Sequence, residues 1–328
     1  MENKNGITFK MLLNDYFETH HLRADTRWSY EKVTRTLIDF LGKDVLPADI
    51  SKIHVHQWRQ KVLYEQKLST WTWNNKVRHM RAIFNHGIKT GLFSQDGKTF
   101  ENPFYKVVVR QEVKRKKILS RKQMTGLYLV MERHEIMEAQ GIWKGGRCAL
   151  MPARFWLTVL DTLGYTGMRQ NQLLNLRMGD ILRDEDMIVL QARSSKNHNE
   201  NRVPVTPVLR DRLYPLMDEL ELRGMKKTDQ LFNVSWFLAG RKAAETRMGV
   251  YSIRAFFRRL SRECGYAISP HRFRHTIATE LMKLPGSNLK LVKDLLGHSS
   301  IHTTLEYVNG DIEGIKEALI KYSGKNKK

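Results

Sequence analysis

Four short strings in the second half of the chain carry the residues best suited to chemistry: Thr166-Gly167-Met168-Arg169, Ser269 through Thr276, Leu296 through Ser300, and Thr303 through Tyr307. They contribute Arg169, His271, Arg274, His298 and Tyr307, polar groups set in helical patterns that are otherwise apolar. Such a set suits attack on a phosphodiester. The diester's negative charge repels nucleophiles, and its transition state places more charge on the non-bridging oxygens. A guanidinium stays protonated and its planar fork matches phosphate geometry, so Arg169 and Arg274 are the candidates for neutralising that charge. Arg169 follows a Thr166-Gly167 turn that opens a helix holding Leu173, Leu174 and Leu176, where exposed main-chain amides add to the pull on an anion.

His271 lies three residues before Arg274, so on a helix both project from one face. With a reference pKa of about 6.5, a neutral imidazole there can take a proton or hold the phosphate, and His298 can donate to the same group. A phenol with a pKa of about 10 is mostly protonated at neutral pH, so Tyr307 needs a base and cationic surroundings before it attacks. A rival reading uses the histidines differently. His271 and His275, like His298 and His302, stand four apart, which is metal-ligand spacing on a helix. Neither a His-Glu-x-x-His string nor a cysteine partner accompanies them, so no metal is expected and His275 is read as a buried or supporting residue.

Composition points to the same kind of substrate. The 328 residues hold 56 Lys+Arg against 34 Asp+Glu, a net charge of +22 that draws the surface to a dense polyanion. These cations are spread along the whole length instead of concentrating on one amphipathic helix, which favours nucleic acid over a membrane surface. With 41% apolar residues the chain is long enough for a sizeable core and two domains. Its two cysteines, Cys148 and Cys264, cannot build a disulfide framework. The N-terminus lacks the apolar core of a signal peptide, and no segment approaches a membrane span. A soluble cytoplasmic protein is expected, nucleoid-associated if DNA is its partner.

Helical spacing organises the first third. Phe9, Leu12, Leu13, Tyr16 and Phe17 form one face; Val33, Leu37, Phe40 and Leu41 form another after an Asp25-Thr26 start and before Gly42. A third helix is expected from Ser51 through Trp58 and Val62, and a fourth after Ser69-Thr70 through Val77, Met80, Phe84 and Ile88 to Gly91. Within that fourth helix Lys76, Arg78 and Arg81 are candidates for tracking phosphates beside Trp71, while Trp73 is read as core. The polar, basic run from Arg110 to Lys117 suits an exposed connection, so the expected layout is a helical domain at 1–110, a linker at 111–118 and a second domain at 119–328. Beyond it, Ser120 caps a helix with Met124, Leu127 and Leu129, and Phe155 to Leu163 forms a strongly apolar stretch. Met187 to Leu190 and Val203 to Val205 flank a polar turn at Ser194 to Glu200, which predicts a β-hairpin in an otherwise helical domain, with helices resuming from Val208, Ser252 and His271.

The order of these strings resembles the tyrosine recombinase (phage integrase, Xer-like) family, most specifically from about residue 150 to 310. The run from Leu296 to Tyr307 closely matches that family's nucleophile segment. The resemblance implies a mainly α fold with a small β-hairpin or sheet (α+β), in which residues 1–110 are a helical, SAM-like core-binding domain and 119–328 the catalytic domain. It implies a metal-free, cofactor-free transesterification in which Tyr307 forms a 3′-phosphotyrosyl link and a partner strand's 5′-hydroxyl reverses the step. Lys196, in the turn before Asn201-Arg202-Val203-Pro204, sits like the hairpin lysine that protonates the leaving 5′-oxygen. The implied partners are double-stranded DNA with paired core sites, a homo-tetramer assembled on it, and host or element-encoded accessory factors.

Ile312, Ile315, Leu319 and Tyr322 make an apolar helical face that in this family docks on a neighbouring subunit as the C-terminal exchange helix. Three features depart from the pattern. Gln172 stands where an acidic residue is usual three positions after the first arginine, residues 134–150 read as an insertion, and nothing before residue 7 has room for an arm-binding domain. Two further functions stay open on the sequence: a DNA-binding regulator on a degenerate recombinase scaffold, with Gln172 as the hint, and a type IB topoisomerase-like enzyme.

Overall fold

The computed structural model of the protein describes residues 6–93, 100–111, 117–142, 148–191, 200–238, 247–284, 289–297, 300 and 304. The chain forms two compact units, Met1–Lys114 and Arg115–Lys328.

Among the described residues, four α-helices build the first unit. Thr8 caps α1 (Phe9–Thr19) by accepting from Met11 N, and the apolar face read from the sequence is the buried one. α2 (Ala24–Leu41) begins one residue before the expected acidic start and ends at Gly42, whose φ of +104° is a conformation that glycine adopts without strain. Ser51 caps α3 (Lys52–Gln60), which runs on into a π-helical turn at Lys61–Glu65, and Ser69 caps α4 (Thr70–Lys89). Trp58, Trp73, Phe84 and Phe104 are fully buried between them, each side chain contributing roughly 1.5–3 kcal/mol by leaving water. Trp73 satisfies its one donor by reaching Val107 O at 2.9 Å, which ties the chain beyond Asn102-Pro103 back onto α4.

The second unit packs helices around α6 (Ala153–Thr166), the apolar stretch of the sequence, buried along nearly its whole circumference. α5 (Arg121–Ala139) starts at the expected Ser120 cap, but Leu129 points outward at 60% exposure because its own turn faces away from Leu127 and Met131. The first residues of the stretch 134–150 complete α5, and His134 is buried with Nε2 2.8 Å from Glu263. After α7 (Gln170–Asn175) come β1 (Ile181–Leu182), β2 (Met187–Leu190) and β3 (Asn201–Pro204). β2 and β3 are the expected hairpin, antiparallel with Met187 opposite Pro204 and Leu190 opposite Asn201. β1 adds an unforeseen third strand on the other edge.

α8 (Pro207–Leu222), α9 (Ser235–Leu238), α10 (Val250–Cys264), α11 (Pro270–Lys283) and α12 (Leu289–Leu296) follow. Trp156 of α6 and Phe256 of α10 stack with centroids 4.2 Å apart, so the apolar helix is gripped from the C-terminal side as well. Among the described residues no helix is long and apolar enough to cross a membrane.

Candidate active site

The first arginine is placed by the end of α6. Thr158 and Thr162 donate to the carbonyls four residues back, Thr166 does the same to Thr162, and the Thr166 hydroxyl in turn accepts from Met168 N at 3.2 Å. The helix then stops at Gly167, whose φ is +62° and whose missing Cβ would meet Ile277 Cγ2 and Leu296 Cδ2 at 3.0 Å. Only glycine fits there without displacing a neighbour. Arg169 follows as the residue that opens α7, half-buried, with its main-chain N–H donating to Gln172 Oε1 at 2.8 Å. Gln172 is itself 3% exposed. The amide therefore does what a carboxylate at that position would do for the backbone, accepting a helix-end N–H. That gives Gln172 a positioning task at the start of α7.

α11 carries the other pair. Ser269 caps it by accepting from Arg272 N at 3.3 Å, with Pro270 in the first turn, where no N–H is needed. Arg274 is 3% exposed and donates from Nη1 to Gly167 O and from Nη2 to Leu296 O, both at 2.7 Å. Two charge-assisted bonds to carbonyls hold its planar fork in one orientation. They also join the turn before Arg169 to the end of α12, so three of the four sequence strings meet at one guanidinium. His271 is exposed at the start of the helix, and its ring stacks on that of His275 at 5.3 Å. Thr276 accepts from Leu119 N at 2.9 Å, fastening the start of this unit to the same helix.

Lys196, His298 and Tyr307 lie outside the described residues, as does the segment holding Ile312, Ile315, Leu319 and Tyr322. Their described neighbours in the chain are Asn201 five residues beyond Lys196, Gly297 just before His298, and Thr304, which is fully buried three residues ahead of Tyr307.

In the first unit the three cations of α4 separate. Lys76 is largely buried, its Nζ 2.7 Å from Thr36 Oγ1 and over the Trp58 ring at 5.3 Å, which corrects its reading as a surface phosphate contact. Burial, and then the nearby Lys32, push its pKa below the usual lysine range. It fell inside because Val77, Met80 and Phe84 turn that side of α4 to the core. Arg78 is exposed, and Arg81 is half-buried, with Nε donating to Phe104 O at 3.1 Å. Trp71 is exposed and Trp73 is core, as expected.

A buried polar group also sits behind α6. Asp161 accepts from Tyr128 at 2.7 Å and pairs with Arg212 Nε at 3.1 Å. Burial pushes its pKa above the ordinary carboxylate range, while the Tyr128 bond and Arg212 pull it down. The sequence held a signal for it, a single acid inside the apolar run from Phe155 to Leu163.

Arginines, a helix-borne histidine and a hairpin on a helical core define a class. The chain belongs to the phage integrase family, whose model matches residues 148–313, and it is a site-specific DNA recombinase of the tyrosine class. It is 34% identical over 319 residues to a putative tyrosine recombinase XerC of Pseudomonas aeruginosa, covering 95% of this chain and 71% of that protein. A second putative XerC, from Pseudomonas syringae, is 31% identical over 95% of this chain, which spans 64% of that relative's length. The fold is shared with the Tn1549 transposon integrase solved with transposon right-end DNA, at a TM-score of 0.69 and 17% identity over 97% of this chain and all of that one. It is shared as well with XerH bound to a palindromic difH substrate, at a TM-score of 0.66 and 18% identity over 91% of this chain and 80% of that one.

Proposed function

We propose that this chain exchanges strands between paired double-stranded DNA sites through a 3′-phosphotyrosyl intermediate, with Tyr307 as nucleophile. The Tyr307 oxygen bonds to phosphorus as the bond to the 5′-oxygen breaks. Lys196 gives the leaving oxygen its proton, while His271 takes the phenol's proton or holds the phosphate. Arg169, Arg274 and His298 bear the charge on the non-bridging oxygens. A partner strand's 5′-hydroxyl then attacks the ester, so bond energy is stored on the protein and neither ATP nor a metal is required.

One observation carries this reading: Arg274 bonds both Gly167 and Leu296, which gathers the strings around Arg169, Arg274 and His298. The division between Lys114 and Arg115 supports a core-binding domain at 1–110 and a catalytic domain at 119–328 joined at 111–118. Membership of the class supports assembly as a homo-tetramer on DNA, with host or element-encoded accessory factors as further candidate partners.

The test is capture of the covalent adduct. After the protein is incubated with duplex DNA and denatured, nuclease trimming and mass spectrometry should find a 3′-nucleotide on the Tyr307 peptide. An adduct on another residue, or none on cognate DNA, contradicts the assignment.

Arg274→Lys keeps the charge yet cannot reach two carbonyls with one planar group. With two charge-assisted bonds at about 1.5–3 kcal/mol each at stake, adduct formation should slow by about a hundredfold or more while site binding changes little. A rate within a few-fold of the parent would show that charge alone matters. DNA affinity separates the α4 cations. Arg78→Ala should reduce the slope of log affinity against log salt by about 0.9, one phosphate's share, and Lys76→Met should leave it unchanged. Equal slopes for all three proteins would remove Arg78 from the interface.

A further inference from the structure

Asn201 opens β3, the strand that follows the segment holding Lys196 in the chain, and its side chain leaves the sheet for a helix end. Nδ2 donates to the main-chain oxygens of Asp294 and Leu295, each at 3.2 Å. Both partners are acceptors, so the amide nitrogen is the atom that must face them. They belong to the last turn of α12, where carbonyls have no partner within the helix. Two further hydrogen bonds close the same turn. Gly297 N reaches Asp294 O at 3.0 Å, and Arg274 Nη2 reaches the next carbonyl, Leu296 O. Asn201 and Arg274 thus cap the same helix end from opposite partners, one from the sheet and one from α11. Contact between the two elements is close: a Cβ added at Gly297 would lie 3.4 Å from Asn201 Nδ2.

We infer that Asn201 is a positioning residue for strand cleavage: it holds the last turn of α12 against β3, which fixes the Leu296 carbonyl and through it the Arg274 guanidinium. The inference rests on Arg274 acting at the phosphate. Arg274 has one anchor on the Gly167 turn, which α6 makes rigid, and one on Leu296, at the end of a short helix. Release of that helix end frees one side of the fork. Reacting groups lose rate steeply when displaced by an ångström, so a bond far from the phosphate can be read in the chemical step. A bond that merely sealed the helix would be read in stability and nowhere else.

The experiment is single-turnover adduct formation by the full-length protein on a nicked suicide duplex, with site affinity and a thermal melt for every variant. Asn201→Ala should slow adduct formation about tenfold with affinity unchanged, the worth of one well-placed hydrogen bond expressed in the rate. Asn201→Asp should be slower still, because it sets an oxygen against two carbonyls, whereas Asn201→Gln keeps a donor and should recover part of the loss. In an Arg274→Lys background, Asn201→Ala should cost less than about twofold, since the fork it orients is gone. Undiminished loss in that background, with Arg274→Lys itself slow, overturns the inference alone. Arg274→Lys at the parental rate overturns the reading of Arg274 and the inference with it. A rate loss that follows melting temperature across the Asn201 variants, regardless of a donor, also overturns it.

Discussion

Tyr307→Phe is expected to abolish covalent protein–DNA adducts while leaving site affinity within about twofold of the parent, because only the hydroxyl oxygen is lost and the aromatic ring is retained. The argument is one of chemistry. Of the five candidate groups, the guanidiniums of Arg169 and Arg274 cannot act as nucleophiles, and an imidazole of His271 or His298 that attacked phosphorus would leave a labile phosphoramidate. The phenol forms a stable ester whose attack needs only a lost proton and a neutralised phosphate. Arg274, proposed for the second requirement, is held in one orientation by its bonds to Gly167 and Leu296. The measurement is a denaturing gel of the protein with a nicked suicide duplex, on which the nicked fragment diffuses away and the adduct accumulates. A surviving adduct in the Phe variant would pass the nucleophile to another residue. Loss of both adduct and affinity would mean that Tyr307 holds the fold.

Local rules were readable where they act within a turn or two of chain. Ser51, Ser69, Ser120 and Ser269 each precede an apolar helical pattern, and each accepts a hydrogen bond from the N–H three residues on. The β2–β3 pair was legible because its apolar runs sit on either side of a polar stretch. β1 was not, since two residues are too few to show a period. Chemical residues were legible by type and spacing, yet their mutual geometry was not. Arg274 meets a carbonyl 107 positions upstream, and Asn201 one 93 positions downstream. Lys76 shows the opposite failure. Its residue type argues for solvent, but the helix phase set by Val77, Met80 and Phe84 turns it inward, where Thr36 meets its ammonium.

Replacing Lys196 by alanine should stop cleavage of ordinary DNA, with a loss of about a hundredfold to ten-thousandfold, the usual worth of a positioned general acid. The leaving group in this reaction is an alkoxide, whose high basicity makes departure without a proton the hardest part of the step. If Lys196 supplies that proton, the defect belongs to the oxygen and not to binding or to the arginines. Substituting sulfur for the bridging 5′-oxygen therefore separates the roles, because a thiolate leaves readily without protonation. On such a duplex Lys196→Ala should cleave at close to the parental rate, and Arg274→Lys should remain slow, since its task at the non-bridging oxygens is unchanged. The strand pair supports the proposal: β2 and β3 stay paired as far as Leu190 and Asn201, and Asn201 reaches α12, so the strands on either side of Lys196 in the chain are fastened to the helix that precedes His298. Failure of sulfur to rescue Lys196→Ala would make the lysine a phosphate-positioning group, and equal rescue of Arg274→Lys would show that both residues serve the leaving group.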